Sequence, residues 1–171
     1  MSAHVVADPL LLYMHSAPRQ AENARPVGPM NPTIRIAETD EEIQACHGVM
    51  AELRPHVVAV EFVPLVRRLA SETGLQLAYL VEGEVKAVAG FRVSEWLANG
   101  RYLEIEDLVT SGDERSRGYG GALFDWLVRH ARECNCDHLR LTSNVKRGDA
   151  HRFYERKGMV LLAYYFHMEL E

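Results

Sequence analysis

The sequence predicts a single α/β domain with a mixed, mostly antiparallel sheet and helices on its faces. Two apolar segments flank Glu82-Gly83-Glu84, which is typical of a hairpin between antiparallel strands. A glycine-rich turn then joins the strand that ends at Thr110 to an amphipathic helix, so a β-α-β unit follows the antiparallel block. The length of 171 residues and the apolar content of 47% suit one globular domain.

Local start and stop signals define the first helices. Thr39 and Glu42 form a capping box at the start of the first helix, which Pro55 ends. Pro64 suits the first position of a second helix, and Gly74 suits its end. The elements predicted up to the hairpin are a strand over 33–37, these two helices, and strands over 75–81 and 85–93.

Alternation and helical spacing define the second half of the domain. The clearest helix covers 118–134, because its apolar residues recur three and four positions apart. The other elements predicted here are strands over 102–110 and 138–144, a short helix over 149–157 and a mostly extended segment over 159–170.

Residues 1–32 differ in composition from the rest of the chain. They contain five of the seven prolines, which is typical of an extension and linker, so we expect the folded domain to cover 33–171. The apolar residues at 5–6 and 10–14 suit docking on the domain or on a neighbouring subunit, and a homodimer stays an open alternative.

Charge and cysteine content narrow the functional classes. The net charge of -5 argues against a nucleic-acid or anionic-membrane binder and slightly favours cationic partners. No apolar run approaches the ~20 residues that cross a bilayer, and the first residues lack the basic start of a secretory signal. Three cysteines form no disulfide framework, so a cytoplasmic protein is expected. Cys134 and Cys136 near two histidines match no zinc spacing, so no metal is expected.

The glycine-rich turn is the segment most indicative of chemistry. Gly118, Gly120 and Gly121 open the clearest helix, where free backbone N–H groups and the helix dipole attract anions such as phosphate. Arg115 and Arg117 add positive charge at the rim. The alternative is that the glycines only allow tight packing of the helix on a strand. The pattern is neither a P-loop nor a dinucleotide-binding turn, since it lacks the following Lys-Ser/Thr and the Gly-x-Gly-x-x-Gly order.

Three linked motifs resemble the GCN5-related N-acetyltransferase (GNAT) family over about residues 33 to 170. Arg115-x-x-Gly118-x-Gly120 resembles the family's acetyl-CoA signature. The strand over 102–109 is similar to the family's fourth strand, which carries a bulge, and the segment from Ala150 through Tyr154 to Gly158 resembles its Ala-x-x-x-Tyr helix. Met159 replaces the common Phe, and Arg147 stands where the family often has Asn.

The resemblance implies an N-acetyltransferase that uses acetyl-CoA as its acyl donor. A primary amine, in a small molecule or a peptide, would attack the thioester directly in a ternary complex. The implied sheet is splayed near residues 108 and 143. The residues implied to bind the cofactor are Leu108, Val109, Thr110, Arg115, Ser116, Arg117, Gly118, Tyr119, Gly120, Gly121 and Asn144.

Glu106 and Tyr154 are the implied catalytic residues. Glu106 would take a proton from the amine, directly or through water, and Tyr154 would protonate the leaving thiolate. Glu104 is a weaker candidate on the same strand. The structural alternatives are carboxylates that face cations such as Arg101 or Arg140, and a tyrosine that packs in the core.

The acceptor itself is not identified by the sequence. The resemblance places its pocket among the first two helices and the loops at 54–62 and 94–100, where a small cationic amine would suit the residues present: Glu52, His56, Glu61, Glu95 and Trp96. An alternative function is a non-catalytic acyl-CoA-binding or sensing module on the same fold.

Overall fold

The computed structural model describes residues 31–170, so the predicted extension lies outside the described residues except for its last two. Five strands form one sheet in the order β1-β2-β3-β4-β5; neighbouring strands are antiparallel, apart from the parallel pair β4 and β5. The strands are β1 Thr33–Ile36, β2 Gln76–Glu82, β3 Glu84–Trp96, β4 Gly100–Thr110 and β5 His138–Leu141. The helices are α1 Asp40–Ala51, α2 Ala59–Thr73, α3 Tyr119–Glu133 and α4 Gly148–Arg156. The predicted mixed, mostly antiparallel fold is confirmed.

The helix signals are mostly confirmed, with one error at α2. Thr39 and Glu42 form the reciprocal capping box, and Gly74 ends α2 in the left-handed conformation. However, α2 begins at Ala59, so Pro64 lies inside it rather than at its start. The carbonyl that loses its partner to Pro64 belongs to Val60, which is 82% exposed, so water can satisfy that group.

The two faces of the sheet are buried in two apolar clusters. Strand residues such as Leu80, Phe91 and Leu103 pack against α3 on one face, with α4 at the margin of that cluster. Residues such as Tyr79 and Val88 pack against α1 and α2 on the other face. The alternation of side chains along the strands therefore buries both faces of the sheet.

A bulge and a splay interrupt the centre of the sheet. Gly90 pairs with Asp107 and Phe91 with Ile105, so Glu106 is an extra residue in β4. Pairing between β4 and β5 ends at Ile105 and Leu141. The strands thus separate two or three residues before the predicted positions, and β5 is shorter than the predicted 138–144.

The segment after α4 does not form the predicted strand. Residues 159–170 adopt no regular secondary structure, and large apolar side chains such as Phe166 and Leu162 are exposed. Valine, leucine, tyrosine and phenylalanine give this segment a high strand propensity, but a strand also needs a backbone partner, and none of the described strands pairs with it.

None of the helices within residues 31–170 is long and apolar enough to cross a membrane.

Candidate active site

A cavity of about 570 Å³ lies where β4 and β5 separate. It is open to solvent on one side, and both β4 and the start of α4 contribute to its walls. The lining residues are Leu53, Arg54, Arg92, Glu104, Ile105, Glu106, Leu108, Leu141, Thr142, Ser143, Asn144, Arg147, Tyr154 and Tyr165. Both residues that the sequence nominated for catalysis, Glu106 and Tyr154, line this cavity.

Glu106 owes its position to the bulge in β4. As the extra residue it escapes the simple alternation of the strand, and its side chain is 26% exposed in the cavity wall. Arg92 on β3 donates from Nε to the Oε1 oxygen of Glu106. No residue in the described part of the chain donates to Oε2, so that oxygen can accept from an amine or a water molecule. The ion pair with Glu106 raises the pKa of Arg92 above its ordinary value.

Glu104 has a structural role that the sequence left open. Its carboxylate accepts from Arg140 at 2.9 Å, and the same guanidinium lies over the rings of Trp96 and Tyr102, 3.7 and 3.8 Å from their centroids. The carboxylate of Glu104 is therefore held in an ion pair with Arg140 of β5, whose guanidinium packs on aromatic rings. Arg101, the other cation considered for this face, instead contacts Asp137 and the end of α3.

Tyr154 combines a packed ring with a free hydroxyl. The ring contacts Phe124 and Phe153 at centroid distances of 6.3 and 5.3 Å. Among the described residues the hydroxyl has no hydrogen-bond partner, although the side chain lines the cavity. Burial raises the pKa of Tyr154, and the positive charge of Arg147 opposes that shift in part. The phenol therefore stays protonated at neutral pH.

The loop before α3 presents backbone donors without side-chain caps. Gly118 is the N-cap in the left-handed conformation, with φ of 88°, and no side chain caps the helix. A Cβ on Gly118 would meet nothing within 4 Å, so the space beside this backbone is open. Ser116 also has a positive φ, of 66°. Alternating conformations of this kind turn successive N–H groups to one side and form a concave anion site.

Gly120 has a packing role, which was the alternative interpretation of the glycines. A Cβ at this position would lie 2.7 Å from Thr110 Oγ1, so the glycine allows α3 to approach the end of β4. Tyr119 is buried, and its hydroxyl donates to Glu82. Only the backbone of Tyr119 is therefore available to a ligand.

Acidic side chains contact the loop before α3 and offset the positive charge of its arginines. The carboxylate of Glu52 accepts from the Gly112 backbone N–H at 2.9 and 3.1 Å and lies 3.9 Å from Arg115. Glu114 bridges the buried Lys86 at 2.6 Å and Arg117 at 2.5 Å. The hydrogen bond from Lys86 is the main cause of the lowered pKa of Glu114. Glu52, which the sequence assigned to the acceptor pocket, belongs to this loop support instead.

The splay leaves polar groups that suit an amide-containing ligand. Beyond Ile105 the edge of β4 has lost β5 as its neighbour, so backbone groups over Leu108, Val109 and Thr110 can pair with an extended chain. Across the gap, the hydroxyl of Ser143 is buried and has no hydrogen-bond partner in the described structure. These features fit the pantetheine arm of a coenzyme A thioester. Asn144, at the same edge, lines the cavity and accepts from the backbone of Lys146.

Two arginines of the cavity wall were not among the residues nominated from the sequence: Arg54, although it begins the 54–62 loop assigned to the acceptor pocket, and Arg92. Arg54 follows α1 and contacts Asp107 of β4 at 2.7 Å, and Arg92 contacts Glu106. The acceptor residues nominated from the sequence do not line this cavity. Arg92 pairs with Glu104 in the register between β3 and β4, which places this arginine on the face of the β4 carboxylates, but no local pattern in the sequence predicts that register.

The cysteine and histidine residues near the end of α3 are not grouped as metal ligands in the described structure. Cys134 Sγ lies 3.6 Å from His130 Nε2. Within residues 31–170 no group of three His, Cys, Asp or Glu side chains is arranged to hold a metal ion.

Comparison with known proteins identifies the class. The model of the Acetyltransferase (GNAT) family matches residues 33–159, and the chain belongs to this family. An uncharacterized N-acetyltransferase of Bacillus subtilis (strain 168), YhdJ, is 30% identical over 128 residues, which are 74% of this chain and 90% of that protein. The aminoalkylphosphonate N-acetyltransferase of Salmonella typhimurium (strain LT2) is 34% identical over 80 residues, 46% of this chain and 52% of that protein.

Solved structures share the fold. The aminoglycoside N-acetyltransferase AAC(6')-Iy in complex with CoA superimposes with a TM-score of 0.72 at 13% identity, covering 85% of this chain and 98% of the other. Family membership and fold therefore agree with the resemblance drawn from the sequence motifs.

Proposed function

We propose that this protein transfers the acetyl group of acetyl-CoA to a primary amine by direct attack in a ternary complex. The observation that carries the proposal is that Glu106 and Tyr154 line one cavity at the splay between β4 and β5. Strand β4 links this cavity to the anion site, because Thr110, four residues after Glu106, packs against the start of α3. The proposed base and acid thus share one cavity, and the phosphate-binding turn directly follows the strand that carries the base.

The backbone is the main ligand for the coenzyme in this proposal. The uncapped N–H groups at Ser116, Gly118 and the first turn of α3 bind the pyrophosphate, and Arg115 and Arg117 supply charge at the rim. The free edge of β4 pairs with the pantetheine amides as an added strand would. When bound, acetyl-CoA supplies the thioester carbon that the amine attacks.

Glu106 serves as the base for the amine. An ammonium group has no lone pair, so a proton must leave before attack, and the Oε2 oxygen of Glu106 can accept it directly or through water. Arg92 orients the carboxylate by holding Oε1. The pair thus presents one free oxygen to the cavity.

Tyr154 serves as the acid for the leaving thiolate. Its phenol stays protonated because burial raises its pKa, and its hydroxyl has no competing partner among the described residues. Ring packing against Phe124 and Phe153 fixes the direction of the hydroxyl. A thiolate has a pKa of about 8.5 by analogy with cysteine, below that of the phenol, so full proton transfer is unfavourable and the hydroxyl acts by donating a hydrogen bond to the sulfur as negative charge develops there.

Two measurements on the same sample test the proposal. Calorimetric titration with CoA measures binding, and release of free thiol from acetyl-CoA in the presence of a panel of small amines and peptide N-termini measures turnover. We expect tight CoA binding and amine-dependent thiol release. If CoA binds but no amine releases thiol, the chain is a binding or sensing module instead. If CoA does not bind, the coenzyme site is wrong.

A further inference from the structure

Basic side chains outnumber acidic ones in the cavity wall by three to two, although the whole chain is acidic. Arg54, Arg92 and Arg147 line the cavity together with the carboxylates of Glu104 and Glu106. The net charge of -5 is therefore no guide to the ligand, because the local balance around the proposed reaction site has the opposite sign.

One arginine of the cavity wall has no ion-pair partner among the described residues. Arg54 pairs with Asp107, Arg92 pairs with Glu106, and Arg140 pairs with Glu104. The fourth guanidinium, that of Arg147, forms no ion pair within the described part of the chain. The cavity therefore keeps a net positive charge that a neutral attacking amine does not balance, which favours an anionic group elsewhere on the acceptor.

The paired arginines also keep unused donors. Both Nε and Nη2 of Arg54 contact the single oxygen Oδ1 of Asp107, each at 2.7 Å, and the side chain is 46% exposed. Nη1 of Arg54 therefore has no acceptor among the described residues. Arg92 contacts Glu106 through Nε and keeps both Nη groups available. Planar guanidinium groups with free N–H donors bind carboxylate, phosphonate and phosphate well.

We propose that the acceptor amine carries an anionic group, a carboxylate, phosphonate or phosphate, which Arg54 and Arg92 bind while the amino group contacts Glu106. The two arginines contact consecutive residues of β4, Asp107 and Glu106, so the anion site lies directly beside the base. The substrate is then a small zwitterion. This inference rests on the proposed function, since it specifies the acceptor of the same reaction.

A matched set of short amines tests the charge requirement. The probes are β-alanine, its neutral amide β-alaninamide, the cationic 1,3-diaminopropane, and 2-aminoethylphosphonate. Values of kcat/KM from thiol release are divided by the neutral-amine fraction of each probe at the assay pH. We expect the two anionic amines to exceed the amide by about 10- to 100-fold, the range for losing a hydrogen bond to a charged group.

Substitution of Arg54 tests the assigned contact. Arg54→Gln should lower kcat/KM for β-alanine by at least about tenfold more than it lowers the value for β-alaninamide, mainly through KM, so the ratio of the two values should fall at least about tenfold. Arg54→Lys should restore only part of the preference, because an ammonium group lacks the planar fork. Arg68→Gln is the matched control, since Arg68 pairs with Glu72 on α2 and does not line the cavity.

The preference for anionic over neutral amines can also be tested in the wild-type protein, by varying the salt concentration. We expect the ratio of β-alanine to β-alaninamide activity to fall as ionic strength rises, because salt screens the attraction. If the amide or the diamine is acetylated as well as the anionic probes are, the inference is wrong while the proposed function stands. If no probe or other amine releases thiol, the proposed function itself fails.

Discussion

Alanine at Gly118 and alanine at Gly120 are predicted to impair the protein through different physical effects. The two glycines are separated by one residue in the same turn, yet one borders open space and the other borders Thr110. Gly118→Ala should therefore lower both coenzyme affinity and folding stability, whereas Gly120→Ala should act mainly on folding stability.

The structure sets the expected magnitudes. Gly118 has a φ of 88°, a conformation that costs an alanine about 1 to 2 kcal/mol, and its Cβ would occupy the space through which a phosphate approaches. Losing even one charge-assisted hydrogen bond there weakens CoA binding at least about tenfold. At Gly120 the Cβ would lie 2.7 Å from Thr110 Oγ1. Overpacking of this kind costs about 1 to 3 kcal/mol, and the better helix propensity of alanine offsets about 1 kcal/mol.

The assay combines urea unfolding with calorimetric titration of CoA. Gly74→Ala is the matched control, because Gly74 also has a positive φ, of 75°, and open space around it, but lies at the end of α2. It should lose as much stability as Gly118→Ala and keep its CoA affinity. Thr110→Ala removes the clashing hydroxyl, so a double-mutant cycle with Gly120→Ala should show a favourable coupling of about 1 kcal/mol or more.

Each glycine assignment has an outcome that contradicts it. Unchanged CoA affinity in folded Gly118→Ala would mean that the turn is not the phosphate site. Additive effects of Gly120→Ala and Thr110→Ala on the free energy of unfolding would mean that the packing explanation of Gly120 is wrong.

Three further predictions concern single side chains. Tyr154→Phe should lower kcat by roughly 10²-fold with little change in affinity for acetyl-CoA, since only the donor hydroxyl is lost; full activity across the pH range would make Tyr154 a packing residue. Glu106→Gln should reduce turnover most at low pH, where few amines are neutral, and recover as pH rises; a pH-independent loss would argue against a base. Glu42 has a pKa lowered mainly by backbone N–H bonds from Glu38 and then Thr39, so its contribution to stability is present above its unfolded pKa and lost as pH falls through the folded value. Thermal melts of wild type and Glu42→Gln should accordingly differ at pH 7 and begin to approach each other only below the ordinary glutamate pKa of about 4.3, converging once pH is below the lowered folded pKa; a constant difference would contradict this linkage.

Features that depend on neighbouring residues in the chain were predictable. The capping box at Thr39 and Glu42, the left-handed end of α2 at Gly74 and the glycine turn at Gly118 each involve a few consecutive residues, and the structure contains all three. Pro64 was misinterpreted because a proline is tolerated inside a helix when the carbonyl it leaves unpaired faces solvent. That condition depends on tertiary packing.

Features that depend on pairing between residues far apart in the chain were harder to predict from the sequence. The resemblance implied a bulge in β4, but only the register with β3 identifies Glu106 as the extra residue. The segment over 159–170 has strand-forming residues without a strand partner in the described structure, which propensity alone does not reveal. Arg54 reaches the cavity from the end of α1 through Asp107, a contact between residues far apart in the chain.

In the proposed reaction, acetyl passes directly from the thioester to an amine in one complex. A single-turnover experiment with protein in excess over acetyl-CoA tests this direct transfer, by mass spectrometry of the quenched amine and of the intact protein with and without amine. We expect one acetylated amine for each thioester consumed, no acetylated protein in the absence of amine, and loss of the product signal in the double variant Glu106→Gln and Tyr154→Phe. Formation of an acetylated protein that passes its acetyl group to amine added later would contradict direct transfer, and an undiminished yield and rate in the double variant would contradict the assignment of the two catalytic residues.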